Sequence, residues 1–135
     1  MSDTATFNED QKQIWHAVRE MLDGFLAGDR PRIDQHINVD CTIWDSSEPD
    51  MAFGLAGLNA VRDRRPPSGD QTTVKEIESL HPVIDVFGDF GICRHWLVVH
   101  YTDGRKSSRV RNTGVWRKFP QGWQVIHNHE DELAD

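Results

Sequence analysis

The sequence is poor in several things, and each shortage excludes something. Its 135 residues hold two cysteines, one tyrosine and six prolines, and fewer bases than acids. Two cysteines are too few for a disulfide framework, so Cys41 and Cys93, each set in an apolar stretch, read as small buried hydrophobes. No apolar run approaches the roughly 18 residues that a membrane-spanning helix needs. The polar, acidic start MSDTATFNED is unlike a signal peptide, which leaves a reducing, cytoplasmic setting as the expectation. Fifteen Lys and Arg against 22 Asp and Glu give a net charge of −7. A nucleic-acid binder needs a broad basic surface to release phosphate counterions, so no nucleic-acid partner is expected. No repeat, low-complexity tract or Gly–Ser linker divides the chain, and one soluble domain spanning residues 1–135 is expected.

What is present is an ordinary globular composition, 37% hydrophobic and 27% charged. A chain of this size buries about two-thirds of the surface that its unfolded form exposes, enough for one core. Asn8 and Gln11 have capping-box spacing, and Ile14, Trp15, Val18, Met21, Leu22, Phe25 and Leu26 follow at intervals of three and four. They predict an amphipathic helix that Gly28 ends, and Pro31 suits the first turn of a short second helix running to about His36. Residues 40–45, DCTIWD, predict a strand and SSEPD a turn. LNAVRDRR predicts a third helix, bracketed at its start by Gly54 and Gly57 and stopped by Pro66 and Pro67. Strands are expected over 72–86, 90–101, 107–118 and 122–130, separated by hairpin-type turns at Gly88-Asp89, Asp103-Gly104 and Pro120-Gln121-Gly122. Such an order predicts an α+β fold, with an antiparallel meander whose long strands bend or bulge. An amphipathic helix over the concave face of that sheet leaves a natural cavity for a small molecule.

These residues resemble the nuclear-transport-factor-2-like superfamily, an α+β cone made of a curved antiparallel sheet covered by N-terminal helices (a cystatin-like roll). Within it, the SnoaL-like group and the association domain of calcium/calmodulin-dependent protein kinase II (CaMKII) are the most similar. GLNAVRD, HPVIDVFGDFGICR and above all RVRNTGVWRK…GWQVIHNHED carry the resemblance, which covers about residues 8–131. The fold hosts isomerases, cyclases, dehydratases and non-enzymatic modules alike.

Asp40-Cys41-Thr42-Ile43-Trp44-Asp45 reproduces the pattern that ends in the proton-shuttling aspartate of similar ketosteroid isomerases. Asp45 is therefore the candidate general base, with capping of the SSEPD turn as the alternative. The resembling isomerases take hydrogen-bond donors from positions occupied here by Met21 and Gly114, which offer none, so steroid isomerisation is not expected. In the kinase association domain, arginines line the pocket at positions that hold Leu97, Gly114 and Glu130 in this chain, and that anion site is not carried over.

His127 and His129 share one side of the last strand, with Asn128 and Glu130 on the other. The two histidines are candidate catalytic partners of Asp45, or hydrogen-bonded groups at a pocket wall or dimer interface. No metal is expected, since no paired ligand spacing supports them. Trp15, Trp44 and Trp96 are candidates to line a pocket for a flat ligand, and Arg111, Asn128 and Glu130 to supply its polar contacts. Arg111 shares its strand face with Arg109 and Arg117, which reads equally as a solvated outer face. The expectation is a cofactor-free pocket protein that binds a small organic ligand and pairs through its sheet as a homodimer. It acts as an isomerase, cyclase or hydratase, or alternatively as a non-catalytic binding or oligomerisation module.

Overall fold

The computed structural model describes residues 3–65 and 73–134. After a single 3-10 turn at Asp3–Thr6, helix α1 runs over Glu9–Ala27. Its start is the capping box: the Asn8 side chain accepts from the Gln11 amide at 2.9 Å, and Gln11 Oε1 accepts from the Asn8 amide at 2.7 Å. Gly28 ends it in the left-handed region, at φ 68°. Ile14, Trp15, Ala17 and Val18 are buried along one stripe, and each large side chain there contributes about 1.5–3 kcal/mol through removal from water. Helix α2 (Arg30–Asp34) starts at Asp29, whose carboxylate accepts from the Arg32 amide, with Pro31 in its first turn.

Strand β1 (Ile37–Trp44) is longer than the sequence predicts, and a two-residue strand β2 (Ala52–Phe53) pairs with it. Helix α3 spans Gly54–Asp63, so it begins earlier than the expected 58–65. Its first residue must be glycine: Gly54 sits at φ 71°, and a Cβ there would come within 2.7 Å of the Val39 carbonyl oxygen of β1. A bidentate Arg62–Asp34 pair, at 2.8 and 3.1 Å, ties α3 to α2. The expected stop at Pro66 and Pro67, and the start of the next strand at Thr72, lie outside the described residues.

Strands β3 (Val74–Phe87), β4 (Phe90–Tyr101), β5 (Ser108–Phe119) and β6 (Gly122–Glu132) form the antiparallel meander that the turns predict. The sheet is curved, with order β2-β1-β6-β5-β4-β3, and β1 joins it parallel to β6. That parallel pairing, between segments far apart in sequence, has no turn to announce it. Helix α1 lies over one face, where Gly91 lets it come close: a Cβ at that glycine would meet Ile14 Cδ1 at 2.8 Å. The core between them holds Ile14, Trp15, Cys41, Ile84, Cys93, Trp116, Trp123 and Val125. Burial pushes the thiols up, to about 11 at Cys41 and about 12 at Cys93, so both act as the small hydrophobes that their context predicts.

Two bulges position everything that follows. In β3 the register shifts between Leu80 and Val83, around His81 at φ 54° and Pro82. In β6, Val125 faces Trp116, but His127 faces Val115, so one extra residue, Ile126, is absorbed between them. Strict alternation from the buried Trp123 and Val125 would turn His127 and His129 toward α1. The bulge reverses that parity and turns Asn128 and Glu130 inward instead.

Candidate functional site

On the face that α1 covers, a row of polar residues crosses three strands. His95 of β4 pairs with Asn112 of β5, and Asn112 pairs with Glu130 of β6. The next row brings Gly114 beside Asn128, which also pairs with Ile43 of β1. His95 and Asn112 are buried, at 6% and 9% exposure, a depth at which polar side chains need partners. They have them. Asn112 Nδ2 donates to Glu130 Oε1 at 3.0 Å, Ser79 Oγ lies 3.0 Å from His95 Nδ1, and His95 also hydrogen-bonds to Asn112. The indole of Trp15 meets the His95 ring edge-on, with centroids 5.3 Å apart.

Burial sets the protonation of this row. It pulls the His95 imidazole down to about 4, outweighing hydrogen bonds to the Trp96 backbone and Asn112, so the ring is neutral at pH 7. Burial also pushes the Glu130 carboxyl up. The negative charge of Asp45 adds to that push, while the Asn112 and Asn128 amides and Arg65 oppose it without cancelling it. Asp45 itself goes the other way. Burial would raise it, but two hydrogen bonds from Arg65, at 3.0 and 3.2 Å, and one from the Ser47 amide, at 2.9 Å, hold it below the usual carboxylate range. Two neighbouring carboxyls with opposed shifts are the arrangement that separates an acid from a base. In this pair the raised group is Glu130, and Asp45 is the clamped anion beside it.

Four of the residues singled out from the sequence come together: Trp15 and Glu130 at the row, Asn128 in the next row with its amide on Glu130, and Asp45 close enough for its charge to reach Glu130. The other five lie on the opposite side of the sheet. His127 Nδ1 is 2.8 Å from Thr42 Oγ1, and exposed His129 leans against Trp44, itself 40% exposed. Trp96 lies under the Arg109 guanidinium, and Arg111 pairs with Asp131. For the histidines, the cause is the β6 bulge. For Trp96 and Arg111 it is ordinary alternation, because His95 and Asn112 beside them point inward. His95, Ser79 and Arg65 join the site without having been singled out. Asn112 had one signal, the face it shares with Val110, Gly114 and Trp116.

Neither a protein-family model nor a curated protein matches the sequence. Solved structures do. The CaMKII hub of S. rosetta superposes with a TM-score of 0.79 at 26% identity, covering 96% of this chain and 100% of that one. A ketosteroid isomerase-like protein of Parabacteroides distasonis gives 0.74 at 19% identity, covering 98% and 93%. An NTF2-like protein with a cystatin-like fold from Novosphingobium aromaticivorans gives 0.75 at 17%, covering 93% and 82%. The chain therefore has the nuclear-transport-factor-2-like fold, as its terminal strands imply. Among the described residues, no helix is long and apolar enough to cross a membrane.

Proposed function

We propose that this chain is a one-domain SnoaL-like pocket protein of the cytoplasm that binds a small, partly apolar organic molecule over the His95–Asn112–Glu130 row. It performs a cofactor-free proton transfer on that molecule, of the isomerase, cyclase or hydratase kind. One observation carries the reading: Glu130 is an acid held toward its neutral form by burial and by the Asp45 charge, while its oxygen is positioned by Asn112. A carboxyl tuned upward hands over or accepts a proton nearer neutral pH than a free glutamate does, a contribution of about 10²–10⁴ in rate. Asp45, clamped by Arg65, keeps Glu130 tuned.

Native mass spectrometry of the gently purified protein tests binding, and the released compound supplies the substrate for assay. Retained small molecule in the wild type, with turnover falling about 10²-fold or more in Glu130→Gln, supports the reading. Turnover unchanged in Glu130→Gln sinks the catalytic half, and a protein that never carries or binds a small molecule sinks the whole.

A second reading has its own support. Among the described residues no helix covers the opposite face, which leaves Trp44, Val83 and Phe90 at 40%, 53% and 46% exposure, as a homodimer interface would. Two similar structures are a CaMKII hub and the association domain of C. elegans CaMKII. In that reading the chain is an assembly module, and the same mass spectrum reports a dimer with no adduct.

A further inference from the structure

We propose that Glu76 and Glu78 of β3 and His100 of β4 form a binding site for a divalent transition-metal ion of the Zn²⁺ class, independent of the Glu130 site. The two glutamates are two residues apart on one strand and so share a face, the side of the sheet away from α1. His100 is the register partner of Glu76 across the β3–β4 ladder, which sets an imidazole against both carboxylates. One potential ligand atom from each of the three side chains lies within 4.8 Å of the other two. Around an ion with bonds of about 2.1 Å, ligand atoms stand about 3–4 Å apart, so small side-chain rotations close the site.

His100 is already oriented for the task. Its Nδ1 is 2.7 Å from Ser107 Oγ and its Nε2 is 2.5 Å from Glu78 Oε1. A ligating histidine characteristically spends its other nitrogen on such a partner, which fixes ring direction and tautomer. A metal takes the Nε2 lone pair only when that nitrogen carries no proton, and Nδ1–H is then donated to Ser107 Oγ. The charge of the ion offsets the two carboxylates. Glu76 is exposed, so the ion and the water for its remaining positions reach the site directly from solvent. One nitrogen and two carboxylates match borderline ions such as Zn²⁺ and Co²⁺ better than Ca²⁺, which takes oxygen throughout. Sequence spacing does not mark the site, because the hairpin alone brings His100 to the glutamates.

Calorimetric titration of chelator-treated protein with Zn²⁺, repeated with Co²⁺ for its absorption spectrum, tests the assignment. The expected result is one ion per chain and a Co²⁺ spectrum with nitrogen ligation. Affinity should fall at least about tenfold in Ser107→Ala, and further in His100→Gln and in Glu76→Gln/Glu78→Gln. A His127→Gln/His129→Gln protein keeps the ion, and circular dichroism of each metal-free variant confirms that the fold is intact. No saturable binding overturns the proposal. So does binding that survives in folded His100→Gln, or binding that disappears only in His127→Gln/His129→Gln.

Discussion

The two faces of the sheet use the same residue types for different ends. Toward α1, Trp116 is 2% exposed, His95 is 6% exposed, and Glu130 is desolvated enough to be pushed toward its neutral form. On the other side, Trp44 is 40% exposed, His129 leans on it in the open, and the Arg111–Asp131 pair sits in solvent. An indole, an imidazole or a carboxyl thus has no fixed role in this fold. Its role follows from the side on which the pleat leaves it, because desolvation magnifies every polar interaction on one side and water screens it on the other.

The largest effect should come from contrasting tryptophans across the sheet. Trp116→Ala removes a fully packed ring from the core and should cost about 3–5 kcal/mol, whereas Trp44→Ala should cost under about 1 kcal/mol. Urea unfolding of both variants measures this, and equal losses would erase the distinction between the faces.

Next comes pH. His95 falls from an ordinary value near 6.5 to about 4 on folding, so the unfolded chain takes up its proton first as pH drops. Its contribution to stability is complete above about pH 6.5 and is lost as pH falls toward 4, roughly 3 kcal/mol in all. Urea midpoints followed across that window should slope in the wild type and flatten in His95→Gln. A slope that persists unchanged would assign the acid sensitivity to other groups.

The smallest effect concerns Glu130. A raised carboxyl favours the folded state below the ordinary glutamate value, and that advantage is lost as pH rises through the folded-state value. Glu130→Gln, which holds the side chain neutral, should therefore melt a few degrees higher at pH 7, with the gain shrinking toward pH 4. A lower melting point at pH 7 would show that the ionised carboxylate is the form that the site prefers.

The capping residues, the amphipathic stripe of α1 and the hairpin turns of the last four strands were legible in the sequence, because each depends on neighbours within a few residues. So was the pairing of positions 127 with 129 and 128 with 130, since alternation along a strand is local geometry. The candidate site was legible only in part: Trp15 and Glu130 lie at the row and Asn128 in the next, but His127, His129, Trp96 and Arg111 face away from it.

Tertiary structure decided which alternating set turned inward. The extra residue at Ile126 is absorbed where β6 must match β5 on one side and β1 on the other, and no local propensity records that compromise. It also decided where β1 sits, that the first residue of α3 lies against Val39, and that Arg65 closes on Asp45 from 20 residues away. The chain alone determined which residues can be neighbours along each strand. Packing across the sheet determined which of them are buried, and burial is what separates a surface carboxylate from a candidate acid.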